Sequence, residues 1–369
     1  MMTKLLIAGF TKLSYMPYLN FYLEALENLP VEIHVVTWRR DSEKDVTLRN
    51  DKIHVHEFAQ DQADEVAKLS KIGNFFRYRA FVTHLLKEEQ FDRIIVLHTL
   101  PAVLIADKLI HNYSNRFILD YRDYTYEDYA SFKKIIGKLV KASYATFVSS
   151  DAFRVALPKV DKIYTSHNLL VDSLSFRDVR SAQRRDQSPI RIAFWGFIRH
   201  EKINEEIIRK LGGDMRFELH YYGREQQTAF NLKKLVEKNG YKNIFFHGAY
   251  LPQDRYGFAE KTDLLHNMYE NDVGMQKAMA NKYYDGIVFR IPQLCMADSY
   301  MGNRVTNEKV GLAVNPYSND FAEEIINYYS HIQWDEFESA CDYATEHVVA
   351  EYKSGKKIIK AMVNDRNTH

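Results

Sequence analysis

Short apolar runs, each followed by a longer stretch of helical spacing, recur through most of this chain, and that alternation constrains its fold more than any single residue does. The first run is Lys4–Ala8, with helical spacing next over Tyr18–Leu29. Glu32–Thr37, Arg93–Leu97, Arg116–Leu119, Ala145–Ser149 and Lys162–Thr165 follow, with a helix opening at Pro101. A strand that is apolar along its whole length is buried on both faces, so the pattern predicts a parallel sheet covered by helices on either side. Leu170–Pro189 loses the pattern and turns polar, as a linker does. The alternation resumes with Arg191–Trp195, Glu218–Tyr222 and Asn243–Phe246, joined by helices near Asn204–Leu211 and Thr228–Lys238. A short helix over Thr262–Tyr269, a weak strand over Val273–Gln276 and a helical tail from Phe321 to about Val363 complete the reading. The expected class is α/β, with two Rossmann-like, doubly wound domains. They cover residues 1–170 and 190–349 around a linker at 171–189, and a last helix over about 350–369 packs back on the first.

Composition narrows the functional classes. Lys+Arg is 50 against 49 Asp+Glu, a balance that excludes a nucleic-acid binder relying on overall charge. Cys295 and Cys341 are too few for a disulfide framework or a cysteine-based zinc site, and they suit a reducing cytosol. No stretch approaches the ~18 apolar residues of a spanning helix, so the protein is expected to be cytoplasmic and soluble or peripheral. Tyrosine is in excess, 25 against 3 Trp, which supplies flat apolar faces that carry hydroxyls.

Four clusters carry chemistry. In "IAFWGFIRHEK" a strand ends at Gly196, and Arg199 and Lys202 stand at the opening of a helix. Glycine lets a ligand approach the backbone, while free N–H groups and two cations suit a diphosphate; the alternative is a surface turn with solvated cations. In "MANKYYDG", Lys282 and Asp285 are three apart: an ammonium for phosphate beside a carboxylate for ribose hydroxyls, or else a common surface pair. In "FILDYRDYTYEDY", Asp120, Arg122 and Asp123 follow a strand end among Tyr121, Tyr124, Tyr126 and Tyr129, where open sheets place ligands. There the choice is between gripping sugar hydroxyls and capping the next helix. His98 also closes a strand, as a structural or a catalytic histidine. Dinucleotide-binding, Walker A, nucleophile-elbow and zinc-protease motifs do not occur, which disfavours dehydrogenases, P-loop ATPases, α/β-hydrolases and zinc hydrolases.

The order of these clusters resembles the retaining, nucleotide-sugar-dependent glycosyltransferases of the GT-B fold, the family-4 type. Their Gly-x-x-Arg/Lys-x-x-Lys is matched by Gly196, Arg199 and Lys202, and the glycine turns that follow by Gly223 and Gly248. An Asp-Val/Ile strand is matched at Asp272, and Asn-Lys-x-x-Glu with its later proline by Asn281, Lys282, Asp285 and Pro292. "HTLPAVLIA" resembles the family's His-x-x-Pro helix start, and "DYRDYTYE" a segment of one subgroup. The chain departs where Lys277 replaces the first of two glutamates, where Arg290-Ile291-Pro292 replaces Gly-Lys-Pro, and where Arg122-Asp123 stands in place of a histidine.

The resemblance implies two domains facing across a cleft and transfer of a sugar from a nucleotide-diphosphate donor to a glycan or lipid-linked acceptor. Bacterial capsule, exopolysaccharide or O-antigen synthesis is the implied setting, with no metal or other cofactor. Arg199 and Lys202 would act catalytically on the departing diphosphate with Lys282, and Gly196, Gly223, Gly248, Tyr250, Asn281, Lys282 and Asp285 would bind the donor. Asp123, Arg122 and His98 would act from the acceptor side, with Gly9 and Tyr124 nearby. An epimerase of the same architecture and a non-catalytic partner subunit are the alternatives. "SFKKIIGKLVKASY" puts Phe132, Ile135, Ile136 and Leu139 on one stripe ringed by Lys133, Lys134, Lys138 and Lys141, either to lie on the inner membrane or to pack on its own sheet.

Overall fold

The computed structural model describes residues 2–42, 45–46, 48, 52–62, 71–180, 188–270, 272 and 274–365. The chain divides into two compact units, Met1–Asn168 with Ala350–His369, and Leu169–Val349.

Among the described residues the first unit holds a seven-stranded sheet, all of whose pairings are parallel. Its strands are β1 (Thr3–Ala8), β2 (Val31–Arg39), β3 (Ile53–Ala59), β4 (Arg93–Leu97), β5 (Phe117–Tyr121), β6 (Ala145–Val148) and β7 (Ile163–Thr165), in the order β3-β2-β1-β4-β5-β6-β7. Between them run α1 (Leu19–Leu26), α2 (Ile72–Glu89), α3 (Thr99–Leu104), α4 (Ala106–Asn112) and α5 (Ala130–Ala142). Every residue of β4, β5 and β6 is buried, which is why these runs were legible as continuous apolar segments. Strand order reverses between β1 and β4, so the crevice at their carboxyl ends is the place where such a sheet accepts ligands.

The second unit repeats the plan with six described strands in the order β10-β9-β8-β11-β12-β13, again all parallel. They are β8 (Ile190–Trp195), β9 (Phe217–Tyr222), β10 (Ile244–Phe246), β11 (Leu264–Asn267), β12 (Gln293–Met296) and β13 (Gly311–Val314). The helices are α6 (Glu201–Leu211), α7 (Gln227–Asn239), α8 (Arg255–Glu260), α9 (Asn281–Val288), α10 (Tyr300–Asn307) and α11 (Phe321–Ser330). Helix α6 buries Ile203, Ile207, Ile208 and Leu211 on one face, against the strand residues Ile192, Phe194 and Leu219 of the same core. Here the reversal lies between β8 and β11.

Helix α12 (Trp334–Asn364) is a single helix whose residues from Ala350 onward belong to the first unit. There the Tyr352 hydroxyl donates to Glu24 at 2.9 Å, and Arg93 Nε donates to the Met362 carbonyl at 2.9 Å. A Cβ on Gly355 would meet Phe21 at 2.8 Å and Phe147 at 3.2 Å, so only glycine lets the helix approach those rings.

Several elements differ from the sequence expectations. Thr262–Tyr269 is not a helix: it contains β11, whose His266 and Asn267 are fully buried polar residues that mask the apolar run. Residues 274–277 form a turn rather than a strand, and Val273 lies outside the described residues. Strands β3, β12 and β13 and helix α2 went unread. Of the expected linker, residues 181–187 lie outside the described residues, while Val171–Arg180 is a 3-10 helix of the second unit. Phe176 stacks there on Tyr256 with ring centroids 3.6 Å apart.

Candidate functional site

Three glycines close adjacent strands of the second unit. Gly196 follows β8 at φ +139°, a conformation that disfavours any side chain, and its N–H donates to the Tyr222 carbonyl at 2.9 Å. At Gly223, after β9, a Cβ would lie 1.7 Å from the Gly196 carbonyl oxygen, so the two turns interlock only as glycines. The Gly223 N–H in turn donates to the carbonyl of Gly248, itself at φ +78°.

Lys282, in the first turn of α9, is directed at this place. It is 6% exposed, and its Nζ lies 3.6 Å from the ring centre of Phe194 and 4.9 Å from that of Tyr269. The same Nζ is 4.0 Å from where a Gly196 Cβ would stand. Burial first, and the neighbouring Arg199 second, hold this ammonium well below its ordinary pKa. Asp285, one turn on, is equally buried, but its carboxylate is engaged elsewhere. Trp195 Nε1 donates to it at 3.1 Å, and Arg255 Nη1 lies 3.1 Å from both oxygens. Burial raises the Asp285 pKa against the pull of Arg255. Tyr250 packs edge-on to Phe258, and its hydroxyl is pushed up to about 12 by burial.

Arg199 and Lys202 are exposed, and the turn carrying Arg199 is built by a residue the motif reading did not select. Buried Asn204 donates to the carbonyls of Arg199 and His200, both at 2.9 Å, and accepts from the Tyr221 hydroxyl and from His266 Nε2. His200 caps α6 at φ +64°, and burial with Arg199 beside it lowers its imidazole to about 4. The Glu270 carboxylate accepts from the Lys202 backbone N–H at 3.2 Å, so an acidic side chain already sits at the helix N-terminus read as an anion seat. Asn281 opens α9. Arg290, where the resembled family has glycine, keeps a left-handed φ of +52° and is held by Asp342 through two bonds of 3.0 Å.

In the first unit His98 stands directly after β4 at φ +75°. Its Nδ1 is 3.2 Å from Asp123 Oδ2, and its Nε2 is 2.5 Å from the Tyr18 hydroxyl. The Arg122 guanidinium lies 4.1 Å over the Tyr18 ring, but it is buried and turned inward. It donates to Asp120 at 2.8 Å, to Ser166 at 3.1 Å and to Asn168. Tyr124 donates to Asp128 at 3.0 Å. Gly9 is buried, with Met16 Sδ and the Val36 carbonyl oxygen each 2.7 Å from where its Cβ would be. Only a residue without a side chain fits there. The stripe of α5 is likewise covered: Phe132, Ile136, Leu139 and Val140 are buried, while Lys133, Lys134, Lys138 and Lys141 are exposed.

The residues that sequence reasoning missed, Tyr269, Glu270, Trp195, Arg255 and Asn204, cluster around β8 and β11. The signal of Tyr269 and Glu270 was lost where β11 reads as a helix, while Trp195, Arg255 and Asn204 act through partners distant in sequence. Among the described residues no helix is long and apolar enough to cross a membrane.

No protein-family profile matches the chain, and no curated protein matches it by sequence. Solved structures do resemble it. Sucrose-phosphate synthase from Thermosynechococcus elongatus aligns over 98% of this chain and 97% of its own at a TM-score of 0.70 and 11% identity. HepE of Anabaena, solved with UDP and glucose, aligns over 97% and 100% at 0.68 and 12% identity. WaaG, a glycosyltransferase involved in lipopolysaccharide biosynthesis, aligns over 96% and 99% at 0.61 and 13% identity. These likenesses span both units together, and with the two parallel sheets described above they give the chain the GT-B fold.

Proposed function

We propose that the protein is a family-4-type glycosyltransferase that moves a sugar, with retention of anomeric configuration, from a nucleotide-diphosphate sugar to a glycan or lipid-linked acceptor in bacterial surface-polysaccharide assembly. The observation that carries this reading is the buried Lys282 aimed at the Gly196 turn where the strand order reverses, beside Arg199 and the water-excluded Asp285. That HepE was solved with UDP and glucose, and that WaaG acts in lipopolysaccharide biosynthesis, fits the same chemistry.

In this reading the bond from the sugar's C1 to the diphosphate oxygen breaks, and its electron pair stays with the diphosphate. Lys282, Arg199 and Lys202 neutralise that charge, the role that pre-placed cations play in a dry site. Asp285, fixed by Arg255 and Trp195, offers its remaining lone pairs to ribose hydroxyls, with Tyr250, Asn281, Gly223 and Gly248 bordering the nucleotide. The acceptor oxygen forms the new bond to C1 and passes its proton to the departing diphosphate oxygen. His98 and Asp123, with Tyr124 nearby, bind on the acceptor side, and Arg122 is a positioning residue that sets Tyr18 against His98. The lysine face of α5 rests on anionic headgroups when the acceptor is lipid-linked.

The test is a thermal-shift screen of UDP, GDP, ADP and TDP and their sugars, followed by calorimetry on Lys282→Ala. One nucleotide class should raise the melting temperature. The variant should bind it about 10–100-fold more weakly, the size of a lost charge-assisted hydrogen bond. Equal binding by variant and wild type would remove Lys282 from the site.

A further inference from the structure

Far from these strand ends, a second cluster of ligating side chains lies at the start of β2 and β3. Glu32 and His34 are two apart on β2 and so share one face of the sheet, and His54 of the edge strand β3 stands directly opposite His34. The His34 and His54 ring centres are 4.9 Å apart, and His34 Nε2 lies 2.8 Å from Glu32 Oε1. One ligand atom from each of Glu32, His34 and His54 lies within 4.8 Å of the other two, and among the described residues this is the group of three that meets that condition. His34 is buried and His54 exposed, so the cluster has a fixed inner wall and an open outer side.

We propose that Glu32, His34 and His54 bind a borderline divalent cation of the Zn²⁺ class, clamping the edge strand to its neighbour. Two imidazoles and a carboxylate are a ligand set that zinc accepts at about 2.0–2.2 Å, with water in the fourth position. Tetrahedral ligands at that distance stand roughly 3.4 Å apart, so small side-chain rotations from the present spacing close the site. The outer shell is already in place. His34 Nδ1 is 2.8 Å from His56 Nε2, a contact that fixes which His34 nitrogen faces Glu32. Lys4, whose Nζ is 3.5 Å from Glu32, is also 2.8 Å from Glu89 and keeps that carboxylate when a metal takes Glu32. Because the cluster sits at the amino ends of its strands, opposite the carboxyl ends that carry His98, the ion clamps the sheet and takes no part in sugar transfer.

The second unit provides an internal control. Glu218 and His220 repeat the Glu-x-His pattern on β9, and His247 stacks on His220, with ring nitrogens 3.1 Å apart, as His56 stacks on His34. But Phe245 stands opposite His220 where His54 stands opposite His34. The experiment is calorimetric titration of ZnCl₂, with MgCl₂ as the hard-ion contrast, into the full chain freed of any affinity tag. Wild type should bind about one Zn²⁺ and no Mg²⁺, and its melting temperature should rise with zinc. His54→Gln and Glu32→Gln, both at solvent-accessible positions, should each weaken binding at least about tenfold with unchanged far-ultraviolet circular dichroism. His247→Gln should bind as wild type. Absence of zinc binding in wild type, undiminished binding in both His54→Gln and Glu32→Gln, or loss of binding in His247→Gln would overturn the proposal.

Discussion

A lysine in an apolar pocket is a stored electrostatic cost, and Lys282 carries it where the proposed function needs a cation. Burial and Arg199 lower its pKa, while the faces of Phe194 and Tyr269 offset part of the lost hydration. A diphosphate beside the amine raises that pKa again. Between the free and the bound value, binding therefore takes up a proton, and affinity falls as pH rises through that window. Calorimetry in buffers of different ionisation enthalpy should detect this uptake in wild type and not in Lys282→Met. Stability carries the opposite sign. The unfolded chain binds the proton more tightly than the folded one, so the Lys282 contribution improves as pH rises toward the ordinary lysine value. Lys282→Met should accordingly melt a few degrees higher at neutral pH while binding the nucleotide more weakly. At this scale Lys282 was legible because its spacing to Asp285 survives in the sequence. Its surroundings were not: Trp195 and Arg255 reach Asp285 from 90 and 30 residues away, distances no local pattern spans.

Helix α6 shows the same tension between folding and ligand. Its N-terminal N–H at Lys202 is met by Glu270, which stabilises the helix end by about 0.3–1 kcal/mol and holds negative charge where an anion would bind. Glu270→Gln should therefore bind the nucleotide diphosphate about 2–10-fold more tightly, with a loss of stability of no more than about 1 kcal/mol. Titration of both proteins at two salt concentrations checks it, since the gain should shrink as salt screens the carboxylate. Weaker binding in the variant would make Glu270 part of the binding surface instead. Glu270 escaped the sequence reading along with β11. Buried His266 and Asn267, satisfied by Asn204 and Gln293, place polar residues where a strand of this class is normally apolar. Strand β3 was missed for a related reason. "IHVHEFA" alternates because an edge strand shows one face to water, so a search for continuous apolar runs passes over it.

For the molecule as a whole, the doubly parallel plan was readable because most strands are buried on both faces and their spacing leaves room for crossover helices. The division of the chain was less readable, since α12 runs unbroken through the point where one unit gives way to the other. A chain lacking residues 350–369 should keep the hydrogen-exchange protection of β8, β9 and β11 while that of β1, β4 and β6 collapses. Mass spectrometry of deuterated peptides would separate this from uniform loss. The reason lies in Gly355 against Phe21 and Phe147, and in Arg93 bound to the Met362 carbonyl. The same contacts set a timetable for biosynthesis. A ribosome releases residues 1–168 first, yet the surface formed by Phe21 and Phe147 stays uncovered until the last helical turns emerge, after the intervening unit is already complete. Within this sequence the unit that emerges first is thus completed only once α12 follows the second unit, and until then it exposes the rings that α12 covers.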